Sequence, residues 1–287
     1  MTTAGDVTKE IADALDSARG KVGHWLRPND YPGAIRQYEH AATLLELAGC
    51  HQRAVDAIMQ AVALLPRVQE EPELQVHITL RAVSLQTHAG NLLSALALFR
   101  SSHVTAQTTG YNKQITAVLE ELGQAFAAGN DTTRAAEVWL EAAAYAKHLG
   151  YPAHSINLLT RVAKSANRQD LWEQAARDAL QAPLLTFHAE GYFLCALAVY
   201  IVTSDPVHDA VATSVAAKIA QYAGELPVTR QLHFRERATS LLQAVLDLDA
   251  GMDPARALAS HPEEPARILM EGLPLRAARI AAQPAHV

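Results

Sequence analysis

The side chains able to do chemistry are few and scattered. The 13 histidines are spread along the whole chain. His148 and His154 come closest to a metal pair, but Gly150 and Pro152 stand between them. They fall across a turn and do not make the i,i+4 pair of a helical metal site. The carboxylate pairs Glu70-Glu71 and Glu120-Glu121 suggest acid–base work. Adjacent residues point to different sides of a helix, so both pairs read as solvated surface. The two cysteines are Cys50 and Cys195, and neither has a base at a fixed spacing. Their apolar, helix-like contexts argue against a disulfide framework and for a reducing compartment. There is no Gly-rich phosphate loop, H-E-x-x-H or C-x-x-C. The expectation is a non-enzyme without metal or cofactor.

The elements that must position any functional residue are helical. Of 287 residues, 55 are Ala and 36 are Leu, close to a third, against 5 Phe, 3 Trp and 8 Tyr. Alanine is the best helix former and leucine is near it. The residues that strands favour are scarce by comparison, which argues against an all-β fold. An apolar share of 49% with only 19% charged residues also excludes intrinsic disorder. The length suits one large domain or two small ones.

The net charge of −6 lacks the footprint of a nucleic-acid binder. Met1 to Glu10 has no apolar signal core. The longest apolar run, Tyr192 to Val202, has 11 residues. That is short of a bilayer span and reads as a buried helix. A soluble intracellular protein is expected.

Glycines mark a repeat. Gly90, Gly110, Gly129 and Gly150 are 20, 19 and 21 residues apart, and Gly49 precedes Gly90 by 41. Glycine suits the residue just past a helix, where a positive φ is needed. The unit is one helix plus a turn, and two units make a hairpin of about 40 residues. Three windows show it directly: Ala34 to Gly49, Ala95 to Gly110 and Ala135 to Gly150. Each starts with Ala and has an aromatic four residues on, at Tyr38, Phe99 and Trp139. Each then has a small residue at Ala41, Ser102 or Ala142. These positions share a helical face, so the three rings should be buried at equivalent places.

Helix starts agree with the glycines. Asp30 before Tyr31-Pro32 suits an N-cap with Pro in the first turn. Glu71-Pro72, Tyr151-Pro152 and Asp205-Pro206 are similar, and Asn130-Asp131 can cap the helix after Gly129. The spacing predicts helices over 6–22, 31–48, 51–66, 72–88, 91–108, 112–128, 131–149, 153–166, 169–181, 187–203, 206–222, 228–250 and 253–260. A Pro-interrupted tail follows from 261. Hairpins of this kind leave apolar faces that only neighbours cover, which makes a helix-pair solenoid with a concave binding face.

Several segments carry a resemblance to a known family. Trp25-Leu26-Arg27-Pro28-Asn29-Asp30-Tyr31 leads into Ala34-Ile35-Arg36-Gln37-Tyr38-Glu39-His40-Ala41-Ala42. This Trp–basic–Pro entry before A-x-x-x-Y-x-x-A-A resembles the soluble NSF attachment proteins (SNAPs), particularly the gamma type. Four further segments are similar to the family's in order: Gly129 to Gly150, Asn157 to Ala163, Gly191 to Leu197 and Leu241 to Ala244. The match runs from about 25 to 275. The resemblance implies an all-α, TPR-like right-handed solenoid of antiparallel helix hairpins, of about 40 residues each, with a C-terminal helical bundle. It places repeats over 1–186 and the bundle with its tail over 187–287.

By the same resemblance the partners are a SNARE bundle and the hexameric AAA ATPase of the N-ethylmaleimide-sensitive type. The chain would be cytoplasmic and peripherally attached to membranes. The alternative is a helical-repeat scaffold of a trafficking or coat complex without the ATPase. Alpha-type SNAPs carry concave-face lysines that meet acidic SNARE surfaces. Gln86, Thr87, Asn157 and Thr186 stand where Lys is expected, while Arg161 is retained, with Lys164 and Lys113 nearby. Trp25 and Leu26 occupy the family's membrane-contact loop. Gly272-Leu273-Pro274-Leu275 resembles the gamma-type tail, which makes Leu269, Leu273 and Leu275 the expected ATPase contact. Pro262, Pro265 and Pro274 are expected to limit helix packing there and leave apolar side chains available.

Overall fold

The computed structural model describes residues 4–22, 29–68, 71–102, 112–203, 208–249 and 252–282. Among them every regular element is a helix, as the composition predicts. The chain forms two compact units, Met1–Leu149 and Gly150–Val287. The boundary expected between residues 186 and 187 falls inside the second unit, in the 3-10 turn Thr186–His188.

The first unit runs through α1 (Ala4–Lys21), α2 (Tyr31–Leu47), α3 (His51–Leu64), α4 (Pro72–His88), α5 (Leu92–Ser101), α6 (Asn112–Ala128) and α7 (Thr132–His148). Each packs on the next in sequence, and α4 also meets α6. Ile11, Ile35, Tyr38, Leu45, Ile58, Ile78 and Leu85 belong to one continuous core through α1 to α4. The repeat register holds: Tyr38, Phe99 and Trp139 are 9%, 3% and 7% exposed. The preceding small residues Ala34, Ala95 and Ala135 are buried in each case.

The hairpin turns share one hydrogen-bond pattern. After α2, Gly49 N–H donates to Glu46 O at 2.8 Å and Cys50 N–H to Leu45 O at 2.8 Å. After α4, Gly90 N–H donates to Thr87 O at 3.0 Å and Asn91 N–H to Gln86 O at 2.8 Å. These are Schellman closures, and they put Gly49 and Gly90 at φ +73° and +78°. After α6 the same closure is shifted by one residue. Asn130, not Gly129, takes the positive φ of 61°, because α6 ends at Ala128 and Gly129 serves as its cap. Asn tolerates this region. Asp131 then caps α7, accepting from Arg134 N–H at 3.1 Å. The predicted helix stops short at Ser101: Ser102 is an extended cap residue and not a helical one, and residues 103–110, Gly110 among them, lie outside the described residues.

The second unit is organised differently. It comprises α8 (Pro152–Ala166), α9 (Gln169–Gln181), α10 (Ala189–Thr203), α11 (His208–Glu225), α12 (Val228–Asp249), the short α13 (Pro254–Ala257) and α14 (Glu263–Ala282). Helix α10 is the hub: α9, α11, α12 and α14 all pack on it. Every residue from Phe193 to Val199 is buried. Phe193 stacks on Tyr222 of α11, ring centroids 4.8 Å apart, and meets Phe234 of α12 edge-on at 6.4 Å. The segment Thr186–Thr203 is long and apolar enough to cross a membrane, yet 61% of it is buried within the protein. It reads as a core helix.

The tail expectation is corrected. Residues 263–282 form a helix and not an interrupted strap. Pro265 sits in the first turn, where no backbone donor is needed. Pro274 lies inside the helix, where a missing donor and ring clash cost about 3 kcal/mol. Packing on α10 offsets this: Pro265, Ile268, Leu269 and Gly272 are buried. Gly272 lies so close to Val202 that an added Cβ would collide with its methyls.

Candidate interaction sites

The retained basic residues sit on α8. Its apolar face buries Ile156, Leu158, Leu159, Val162 and Ala163. Asn157, Arg161 and Lys164 follow one another at helical spacing on the other side. Asn157 and Lys164 are exposed and Arg161 is half-buried. Lys164 Nζ lies 2.9 Å from Glu264 Oε2 at the start of α14. Arg267 Nη2 reaches the same carboxylate at 2.7 Å. Burial raises the Glu264 pKa, but these two cations more than offset it and hold it below its usual range. Lys164 therefore ties α8 to α14 as well as facing solvent. Lys113 is exposed in the first turn of α6, in the other unit.

Two of the supposed lysine positions are not surface positions. Gln86 and Thr87 are 4% and 6% exposed in α4. Gln86 Nε2 meets Met59 Sδ at 3.2 Å, and Thr87 Oγ1 donates to Val83 O at 2.9 Å. A lysine at either place would bury its charge.

Leu269 is corrected more firmly. It is fully buried against α10, because the α14 helix turns it into the core. It is not an available contact. The side chains of Leu273 and Leu275 lie outside the described residues, as do Trp25 and Leu26.

Sequence reasoning missed a groove in the second unit. It has a volume of about 760 Å³ and lies among α8, α9, α10, α12 and the start of α14. One wall is aromatic. Phe187 and His188 have ring centroids 4.0 Å apart, His188 stacks on Tyr192 at 6.1 Å, and Tyr192 lies 6.1 Å from Trp172. Trp172 Nε1 is buried without a hydrogen-bond partner. The other wall is ionic. Glu190 is 3% exposed, and three side chains of α12 converge on it. Arg237 Nη1 is 2.6 Å away, His233 Nδ1 3.0 Å and Arg230 Nη1 3.9 Å. A buried carboxylate is costly unless paired, so Glu190 gathers these cations. The sequence signal was Arg230, His233 and Arg237 at helical spacing, which nothing in the pattern linked to Glu190.

A second polar cluster crosses the first unit. His88 bridges Glu46 of α2, at 3.0 Å, and Glu121 of α6. Arg81 also pairs with Glu46, and Ser84 Oγ donates to Glu121 at 3.2 Å. Burial alone would lower the His88 pKa, but the two carboxylates raise it above its ordinary value. Glu121 is thus no freely solvated residue, contrary to the reading of Glu120-Glu121. His77 has a raised pKa too, through its hydrogen bond to Glu39 at 2.5 Å.

Among the described residues no side chains assemble a nucleophile with its base. Burial pushes the Cys195 thiol well above its usual range, opposite to what a thiolate nucleophile needs. His148 ends α7 and His154 lies in the first turn of α8. Among the described residues no three His, Cys, Asp or Glu side chains are placed to hold a metal ion.

Two comparisons bear on what these surfaces are for. Residues 29–251 match a family model described as soluble NSF attachment protein, SNAP. No curated protein matches the chain.

Proposed function

As the chain belongs to the soluble NSF attachment protein family, we propose that it is an adaptor that binds assembled SNARE bundles and recruits the hexameric AAA ATPase that unwinds them. The observation that carries this is the family match, which spans most of the helical repeat and the hub helix α10. Within the family it is a gamma-type member. Gly272-Leu273-Pro274-Leu275 and the six lysines of the whole chain support that assignment. Acidic SNARE surfaces meet Arg161 and Lys164 on α8 in the second unit and, as a separate contact, Lys113 on α6 in the first. Such rim charges contribute about 1 kcal/mol or less each and act mostly on the association rate. Leu273 and Leu275 of α14 carry the ATPase contact, and Trp25 and Leu26 touch the membrane. The protein works in the cytoplasm as a peripheral membrane protein.

Separate pull-downs of a SNARE bundle and of the ATPase test this. Arg161→Glu with Lys113→Glu should weaken bundle binding about tenfold while the melting temperature holds. Unchanged binding at about 50 mM salt, where screening is weak, refutes the basic surface. Leu273→Ser with Leu275→Ser should spare the bundle and lose the ATPase. If the wild-type chain captures neither partner, the adaptor reading is wrong.

A further inference from the structure

We infer that the groove of the second unit is a docking site for a short acidic peptide segment of a partner protein, one that carries a leucine or aromatic side chain beside carboxylates. The two walls call for different halves of such a ligand. Phe187, His188 and Tyr192, backed by the buried Trp172, offer a face for an apolar or aromatic side chain. The ionic wall offers guanidinium groups already held in place by Glu190.

Charge decides the sign of the partner. Lys164, Arg230 and Arg237 line the groove against Glu190 and Glu264, so permanent cations outnumber carboxylates there. His188 and His233 line it too and add positive charge when protonated. A guanidinium has five donors. In the described contacts only Nη1 of Arg230 and Nη1 of Arg237 are engaged. The remaining donors suit a second, incoming carboxylate, which binds such a fork in a bidentate way.

Shape decides between a peptide and a flat surface. The groove is concave, and about 760 Å³ lies within the usual range of ligand sites. At its lip Phe187 is 55% exposed. An aromatic ring left this open beside a concavity is available to an incoming apolar side chain. An extended segment fills both the lip and the ionic wall, whereas a planar bilayer reaches only the lip. The inference does not need the SNARE reading, which rests on the family match with Arg161, Lys164 and Lys113; the two share only Lys164.

The test is fluorescence polarisation with a labelled hexapeptide that alternates Glu or Asp with Leu and Phe. A neutral version replaces each acid by its amide. Vesicles of phosphatidylcholine with phosphatidylserine form a separate arm. The acidic peptide should bind saturably to the full chain at about 50 mM salt, and the neutral one at least tenfold more weakly. Arg230→Glu with Phe187→Ser should cost another tenfold or more. Phe187→Ser alone, at an exposed site where folding is not at stake, should cost two- to threefold. Arg161→Glu should leave peptide binding unchanged. Absence of saturable binding, equal binding of the neutral peptide, or indifference to both groove variants overturns the proposal. Arg230-dependent binding of the vesicles with none of the peptide overturns it in favour of lipid.

Discussion

The two units solve the problem of burying alanine-rich helices in opposite ways. In the first, each helix covers the apolar stripe of its neighbour in sequence, and the most enclosed, α4, packs on α3, α5 and α6. Polar side chains therefore reach the seams, where His88, Arg81, Glu46 and Glu121 bind α2, α4 and α6 together. In the second, α10 is wrapped by four helices. The single carboxylate at its start, Glu190, is buried and needs cations from α12. A ladder distributes its core over pairwise contacts, so damage stays local. A hub concentrates it, so damage spreads.

The largest effect should come from emptying the hub. Phe193→Ala should destabilise the second unit by about 4 kcal/mol. Among the described residues Phe99→Ala in the first unit removes a ring with one aromatic partner, Tyr145 at 6.3 Å, where Phe193 has two. Each such pair contributes about 1 kcal/mol, so Phe99→Ala should cost correspondingly less. Hydrogen exchange should show protection lost through α9 to α12 and α14 for Phe193→Ala, and only around α4 to α7 for Phe99→Ala. A local loss around Phe193 would remove the distinction.

A middle-sized effect concerns close approaches. A Cβ on Gly123 would lie 2.5 Å from the Trp139 ring, and one on Gly272 would strike Val202. Gly123→Ala and Gly272→Ala should each cost about 1–3 kcal/mol through overpacking. Thermal melts of both variants measure this. The ladder should accommodate Gly123→Ala by moving one helix pair, while Gly272→Ala must lift α14 off the hub. A smaller loss for Gly272→Ala would reverse the ranking.

The smallest effect is a pH dependence of opposite sign in the two units. His77 and His88 have raised pKa values when folded. Their contribution is present below about pH 6.5 and lost as pH rises through the raised values. His261 in the second unit has a lowered pKa, from burial and then the Arg237 charge. Its contribution is present above about pH 6.5 and lost as pH falls through the lowered value. All three side chains are partly exposed, so each effect should stay under about 1 kcal/mol. Between about pH 6 and 8, exchange in α2, α4 and α6 should quicken as pH rises, after correction for intrinsic rates; His88→Gln should weaken the trend, and His77→Gln with His88→Gln should abolish it. His261→Gln should abolish the opposite trend in the second unit. Equal slopes in wild type and variants would assign the dependence elsewhere.

The repeat was legible because it is written in local chemistry. Gly49, Gly90 and Gly150 mark the left-handed turn residues that L side chains rarely adopt. Tyr38, Phe99 and Trp139 return at a spacing that one helical face imposes. The Asn130 turn was misplaced by one residue because Asn and Gly both fit the same closure. The tail misled for a non-local reason. Pro265 and Pro274 look like breakers from their neighbours alone, and only the burial of Ile268 and Leu269 on α10 outweighs the lost hydrogen bond. That same packing turned Leu269 from a contact into core.

Composition and periodicity by themselves determined that the chain is helical and that its helices pair through short turns. Those properties depend on backbone preferences within a few residues. Tertiary structure alone decided which charges are spoken for and where concavities open. Lys164 meets Glu264 across 100 residues, and Glu190 meets Arg237 across 47. Such pairs depend on how helices pack around α10, and a pairing energy that exists only once both partners share one desolvated site leaves no trace in spacing.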